Sequence, residues 1–214
     1  MRLPQLFLDA LYPRRITCDL CGKDVRLEED GPAAYLCLEC LKLMEPSPDI
    51  LIAPPLDGAR AGLLYNDEAA RLMHRFKYRQ VRYLADTFAA FMNPLEESAD
   101  YLLPVPLFEK RERRRGYNQS AILAKCVSER ACIPMNQSLM IRTRDTLSQT
   151  ALDHNERAKN VRGAFNVIGD VEGLSIVLVD DVFTTGATMG ECARVLKDKG
   201  AGRVYALTAC YAVG

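Results

Sequence analysis

The sequence predicts an α/β fold, a parallel sheet flanked by helices, preceded by a small zinc-ribbon module. Three observations predict it. A strand-like run, SIVLVDD (175–181), is followed by a helical stretch from Ala187 to Lys199 that stops at Gly200. A second strand-like run, RVYALTACYAV (203–213), comes next. Strand, helix and strand in this order make a βαβ unit with parallel strands, and a glycine just past the last turn is a helix stop. Two CxxC pairs stand near the start, and Pro46, Pro48, Pro54 and Pro55 separate them from the rest. Clustered prolines favour an extended connection. The expected division is residues 1–48 for an N-terminal helix and ribbon, and 49–214 for the α/β domain.

Composition allows this. Of 214 residues, 49% are hydrophobic and 26% charged, enough apolar material for a core. Lys+Arg and Asp+Glu both number 28, so the net charge is zero. A globally basic surface for nucleic acid is excluded, although a local basic patch is not. No apolar run reaches the roughly 18–20 residues of a membrane span. The start, MRLPQLFLDALYPRRITC, lacks the pattern of a signal peptide and reads as a short amphipathic helix, Leu3 to Leu11. A cytoplasmic location is expected, so the eight cysteines should be metal ligands or free thiols.

The remaining elements follow in order. ARAGLLYN (59–66) has strand character. From Asp67 to Met92, Leu72, Met73, Phe76, Leu84, Phe88 and Phe91 recur at helical spacing, with Arg71, Arg75, Arg79 and Arg82 opposite. YLLPVPLF (101–108) is a short buried strand broken by Pro104 and Pro106, and Tyr117 to Arg130 is helical. Residues 140–163 show weak periodicity and many polar groups, which predicts a long mobile loop or irregular arm.

Cys18-x2-Cys21 and Cys37-x2-Cys40 are separated by fifteen residues. Two such knuckles set four thiolates at the corners of a tetrahedron, which suits Zn²⁺. A rubredoxin-like iron site fits the spacing as well, but zinc is commoner in a small ribbon. Four cysteine ligands leave no open coordination position, so the metal is structural. Cys126, Cys192 and Cys210 have no such spacing and belong to core packing.

The densest chemistry lies in VDDVFTTGAT. Ligands of open α/β sheets sit beyond the carboxyl ends of strands, where Asp180 and Asp181 stand. The loop that follows opens a helix, whose first N–H groups are unpaired and whose dipole favours an anion. Gly186 lets the backbone close around an oxyanion, and Thr184, Thr185 and Thr188 add hydroxyl donors. No Lys-Ser/Thr follows, so this is not a nucleotide P-loop. Adjacent carboxylates beside a phosphate cradle accept hydrogen bonds from a vicinal diol and help hold Mg²⁺. Phosphate plus diol is a ribose 5-phosphate.

IVLVDDVFTTGAT resembles the PRPP-binding motif of type I phosphoribosyltransferases. The resemblance implies that Asp180 and Asp181 take the ribose hydroxyls, while Thr184, Thr185, Gly186, Ala187 and Thr188 wrap the 5-phosphate. More of the chain is similar to one branch, the ComF family. That likeness is carried by the CxxC ribbon, FKYR (76–79), PVPL (104–107), RRRGYNQS (113–120) and an arm bearing Arg142, Arg144, Thr146, Gln149, Leu152, Arg157, Asn160 and Gly163-Ala164-Phe165. Gln80 stands where that pattern leads one to expect glycine. The resemblance implies a PRPP pocket with Mg²⁺, a type I phosphoribosyltransferase-like sheet, and action in natural competence on imported single-stranded DNA. A competence helicase or another DNA-uptake protein is the implied partner. The alternative is an active phosphoribosyltransferase that displaces pyrophosphate in favour of an unidentified acceptor.

The basic residues fit either use. Lys110, Arg111, Arg113, Arg114 and Arg115 follow the PVPL strand, where a departing pyrophosphate needs cations. The resemblance puts the pyrophosphate loop at Val105, Pro106, Leu107 and Phe108. Arg142 and Arg157, with Arg144, are placed to fold over the substrate as a catalytic lid. The rival use is DNA. Arg113, Arg114 and Arg115 with Tyr117, Asn118 and Gln119 offer phosphate contacts and a base-stacking ring. For Arg71, Arg75, Arg79 and Arg82, a solvated basic face explains the spacing equally well.

Overall fold

The computed structural model describes residues 17–25, 35–78, 81–94, 98–146 and 154–213. The expected helix Leu3–Leu11, Arg79, Gln80, Gln149, Leu152 and the side chain of Arg157 lie outside the described residues.

In chain order the elements are α1 (Leu38–Leu41), β1 (Gly58–Leu64), α2 (Asp67–Tyr78), α3 (Leu84–Ala89), β2 (Tyr101–Pro104), α4 (Glu109–Arg115), α5 (Gln119–Ala131), β3 (Met140–Arg142), α6 (His154–Val161), β4 (Phe165–Val167), β5 (Ser175–Phe183), α7 (Ala187–Asp198) and β6 (Arg203–Tyr211). The main sheet has the order β1-β6-β5-β2, with every neighbouring pair parallel. The expected α/β class, a parallel sheet flanked by helices, is therefore borne out.

Ile176, Val177, Leu178 and Val179 are all buried, because a parallel sheet is covered on both faces. Their alternation divides the core in two. Val177 and Val179 pack with Phe76 of α2, Phe88 of α3 and Leu123 of α5. Ile176 and Leu178 face Cys192, Ala193 and Leu196 of α7, together with Met140 and Phe165 of the small antiparallel pair β3–β4. Each face buries enough apolar surface to orient its helices, at roughly 25 cal/mol per Å².

The continuous helix expected over Asp67–Met92 is two helices, α2 and α3. Its apolar period persists across the break because Phe76 and Phe88 enter the same core, with ring centroids 6.0 Å apart. The arm expected over 140–163 carries regular structure: β3 pairs with β4, and α6 lies between them in sequence. Strands of three residues are too short to show an alternation.

The cysteine module is built onto the first core. Cys18, Leu36, Cys40 and Met44 are buried in the cluster that holds Phe76 and Phe88. Asp19, itself buried, accepts a hydrogen bond from Thr87 Oγ1 of α3, and its carbonyl accepts one from Arg75 Nη1 of α2. The following segment pairs with the edge of β1, as Leu64 N donates to Glu45 O at 2.8 Å and Ser47 N to Gly62 O at 3.2 Å.

Candidate functional site

The carboxyl ends of all four parallel strands converge on one cavity of about 320 Å³. Tyr65 follows β1, Val105 follows β2, Ala212 follows β6, and Asp180 to Phe183 close β5. This is the end of a parallel sheet where ligands bind.

β5 does not stop at the carboxylates. It continues to Phe183, with Asp180 opposite Thr208 and Val182 opposite Cys210 of β6. The pair is thus held in the sheet by β6, because the pairing of β5 with β2 ends at Val179. Asp180 Oδ1 accepts from Ser120 Oγ at 2.6 Å and from the Asp181 amide at 2.9 Å. Asp181 Oδ2 lies 3.0 Å from Lys77 Nζ, at the last turn of α2. Burial first, then the charge of Asp181, pushes Asp180 up to about 6, against the opposing pull of Ser120, the Asp181 amide and Lys77. Burial works against the Lys77 charge, but the two carboxylates outweigh it and hold the ammonium above its ordinary value.

Beyond Phe183 the chain turns into α7 through Gly186, which has φ 74° and stands at the N-cap. Thr184, Gly186, Ala187 and Thr188 line the cavity. Thr185 does not; its Oγ1 accepts from the Ala187 amide at 3.4 Å and serves the first turn of the helix instead.

The opposite wall is basic. Arg111, Arg115 and Arg142 line it together with Val105 and Leu107. Pro106 is not among the lining residues, and the Val105 amide donates to Val179 O at 2.9 Å. Proline has no N–H, so amides for an anion in this turn can come only from Leu107 onward. Arg113 and Arg114 point away. On α4, residues four apart share a face, which places Arg111 and Arg115 inward and Arg113 outward, where it pairs with Glu109.

Arg142 projects from β3 with its guanidinium 5.2 Å from the Phe165 ring centroid, and it donates to Thr146 Oγ1. Its Nε is buried with no hydrogen-bond partner among the described residues. Arg111 reaches the same arm, with Nε 3.0 Å from Asp145 Oδ1 and Nη2 on Thr146 O. Arg144 instead donates to Asn160 O and Arg162 O, at 3.1 and 2.7 Å, and ties the arm to itself. The Gly163 amide donates to Glu191 Oε1 of α7 at 2.7 Å, which fastens the arm to the helix of the threonine loop.

The stacking role expected of Tyr117 is corrected. Its ring is buried, its hydroxyl donates to Phe76 O, and Arg82 lies 4.9 Å from its centroid. Asn118 caps α5 by accepting from Ser120 N at 3.0 Å and donates to Val105 O at 3.0 Å. Gln119 is buried and accepts from Arg115 Nη1 at 2.5 Å. All three shape the wall from behind, because an amphipathic α5 must bury the side facing β2 and β5. Lys77 and Ser120 are the site residues that residue-by-residue reasoning missed. FKYR and YNQS were visible as motifs, but nothing in them tells which side chain meets the aspartates.

Cys18, Cys21, Cys37 and Cys40 place their Sγ atoms within 4.8 Å of one another, with Cys21 and Cys37 at 3.8 Å. Tetrahedral zinc with Zn–S of about 2.3 Å requires sulfurs about 3.8 Å apart, so the cluster is compatible with structural zinc. Gly22, with φ 76°, makes the tight turn after the first pair. Among the described residues, no helix is long and apolar enough to cross a membrane.

A protein-family model described as a phosphoribosyl synthetase-associated domain matches residues 118–213, which include α5, the carboxylate pair and the threonine loop. The chain is 29% identical over 210 residues to the DNA utilization protein YhgH of Salmonella typhimurium, covering 90% of this chain and 89% of that one. It is 29% identical over 194 residues to the competence protein ComFC of Bacillus subtilis, covering 86% and 72%. The likeness to the ComF family is borne out at this level. Among solved structures, the glutamine PRPP amidotransferase from B. subtilis is similar at 24% identity and a TM-score of 0.38, over 58% of this chain and a quarter of that one (25%).

Proposed function

We propose that the cavity binds a phosphorylated ribose, with PRPP as the preferred ligand, and that the chain is a ComF-like cytoplasmic protein acting on imported single-stranded DNA in natural competence. One observation carries the reading. The two carboxylates, the threonine loop and three arginines face one cavity at the carboxyl end of a parallel sheet. In this reading Asp180 and Asp181 accept the ribose hydroxyls, Thr184, Gly186, Ala187 and Thr188 hold the 5-phosphate at the start of α7, and Val105 and Leu107 flank the pyrophosphate. Mg²⁺ accompanies PRPP and neutralises its pyrophosphate. The proposed division is 1–48, with one structural zinc on Cys18, Cys21, Cys37 and Cys40, and 49–214, with the binding cavity.

A role in DNA handling draws on the names of the relatives, a DNA utilization protein and a competence protein. Single-stranded DNA and the proteins that deliver it, a helicase among them, are the proposed partners. The arginine wall favours a second reading, in which the chain transfers phosphoribosyl from PRPP to an acceptor with release of pyrophosphate. Arg142, with Arg157 on the same arm, would then stabilise the charge that develops on the leaving group.

Calorimetric titration with PRPP and Mg²⁺ tests the pocket: binding by the wild type that Asp180→Ala/Asp181→Ala abolishes is expected, and no binding by the wild type overturns it. Pyrophosphate release across a panel of bases separates the two readings. Filter binding of single-stranded DNA, expected to weaken steeply with salt, tests the cellular role.

A further inference from the structure

We infer that Lys77 is a built-in counter-ion of the carboxylate pair, through which the cavity binds a ribose 5-phosphate without a divalent cation. The inference rests on the pocket reading just given and deepens it. Two adjacent carboxylates beside a phosphate cradle create an electrostatic conflict, because the incoming phosphate is itself an anion. A bound divalent cation is one resolution. This chain carries another in its own covalent structure.

Lys77 Nζ lies 3.0 Å from Asp181 Oδ2, and the two side chains are only 22% and 16% exposed. The ammonium lines the cavity, within reach of the fields of both Asp180 and Asp181. Its position is fixed from below. Phe76, the preceding residue, is fully buried, and its carbonyl accepts the Tyr117 hydroxyl. The backbone that carries Lys77 is therefore held in place beside the aspartates by packing.

The remaining acceptors match a diol. Among the described residues, Ser120 and the Asp181 amide take Oδ1 of Asp180, and Lys77 takes Oδ2 of Asp181. Asp180 Oδ2 and Asp181 Oδ1 are left, one acceptor for each of two hydroxyls. A metal drawn to the pair would compete with the diol for those two oxygens and would sit against the charge of the ammonium on Asp181 Oδ2. In PRPP the cation belongs with the pyrophosphate, which ribose 5-phosphate lacks, so ribose 5-phosphate is the discriminating probe.

The test is calorimetric titration of the full chain with ribose 5-phosphate and with PRPP, each in EDTA and in Mg²⁺. The wild type should bind ribose 5-phosphate with the same Kd in both buffers, while PRPP gains from Mg²⁺. Lys77→Met should weaken ribose 5-phosphate binding in EDTA by roughly tenfold or more, with part of the loss restored by Mg²⁺. Lys77→Arg, which keeps the charge, should remain metal-independent. Wild-type binding of ribose 5-phosphate that vanishes in EDTA overturns the inference alone, as does a Lys77→Met protein that binds like the wild type. Should the wild type bind neither sugar phosphate in either buffer, the pocket reading itself falls and takes the inference with it. The wild-type comparison decides the matter even where Lys77→Met fails to fold.

Discussion

Ser120 Oγ donates to Asp180 Oδ1 at 2.6 Å, across 60 residues of sequence. The first turn of α5 thereby stabilises the ionised form of an acid that burial and Asp181 push up to about 6, from an ordinary 3.8. The fold favours the protonated acid, so its stability contribution is fully present below about pH 4 and is lost as pH rises through about 6. Between those values the melting temperature of the wild type should fall relative to that of Asp180→Asn as pH rises. Ligand hydroxyls need the carboxylate, so affinity for ribose 5-phosphate should fall as pH drops below about 6. Ser120→Ala should move that midpoint upward. A flat affinity profile from pH 5 to 7 would contradict the assignment of Asp180 to the diol.

Gly186 has φ 74°, and a Cβ built there would lie 2.7 Å from Phe183 Cζ. That ring is held by Tyr211 in an edge-on contact at 6.0 Å, so it cannot retreat freely. Gly186→Ala should cost about 1–2 kcal/mol in chemical denaturation, from the left-handed backbone alone. Phosphate affinity should fall further than stability, because the same residue sets the first turn of α7. Wild-type affinity in a folded Gly186→Ala protein would remove the loop from the binding site.

Arg142 is half-buried beside Phe165, lines the cavity and has a buried Nε without a partner among the described residues; the proposed reading sets it against the pyrophosphate. Arg142→Ala should weaken PRPP by roughly tenfold to a hundredfold, as removal of a charge-assisted donor does. Ribose 5-phosphate, which lacks the pyrophosphate, should lose much less. Arg142→Lys keeps the charge but not the fork, so it should recover only part of the difference. Equal losses for both ligands would place Arg142 at the 5-phosphate instead.

Metal analysis of the purified chain should find one zinc per molecule, and a strong chelator should remove it. Because Cys18 and Cys40 belong to the cluster that contains Phe76 and Phe88, loss of metal should lower the melting temperature of the whole chain, not of the ribbon alone. Cys40→Ser should act in the same direction. A chain that melts identically with and without chelator would rule out a structural metal.

Much of the site was legible because its parts are contiguous. A strand, two carboxylates and a threonine-glycine loop opening a helix place these groups at the carboxyl end of the sheet, where the cavity is, wherever the strand lies in it. The four cysteines were legible for the same reason: CxxC spacing fixes sulfur geometry locally. The phase of the arginines was not. Arg111 and Arg115 face the cavity while Arg113 pairs outward, a choice made by where α4 begins after Pro106. Tyr117 resembled a stacking ring among arginines, but it is buried in the core against Phe76 of α2.

What the sequence determined by itself is therefore what short stretches carry: the parallel βαβ unit, the clustered cysteine knuckles and the acid pair with its threonine-glycine loop. Tertiary structure decided which distant groups complete that chemistry. Lys77 stands in α2 and Asp181 in β5, yet they meet because Phe76 and Val179 pack in one core and bring the end of the helix over the end of the strand. The charge balance of the pocket depends on that packing, since side-chain direction follows from which face of each element is buried, and burial is a property of the whole fold.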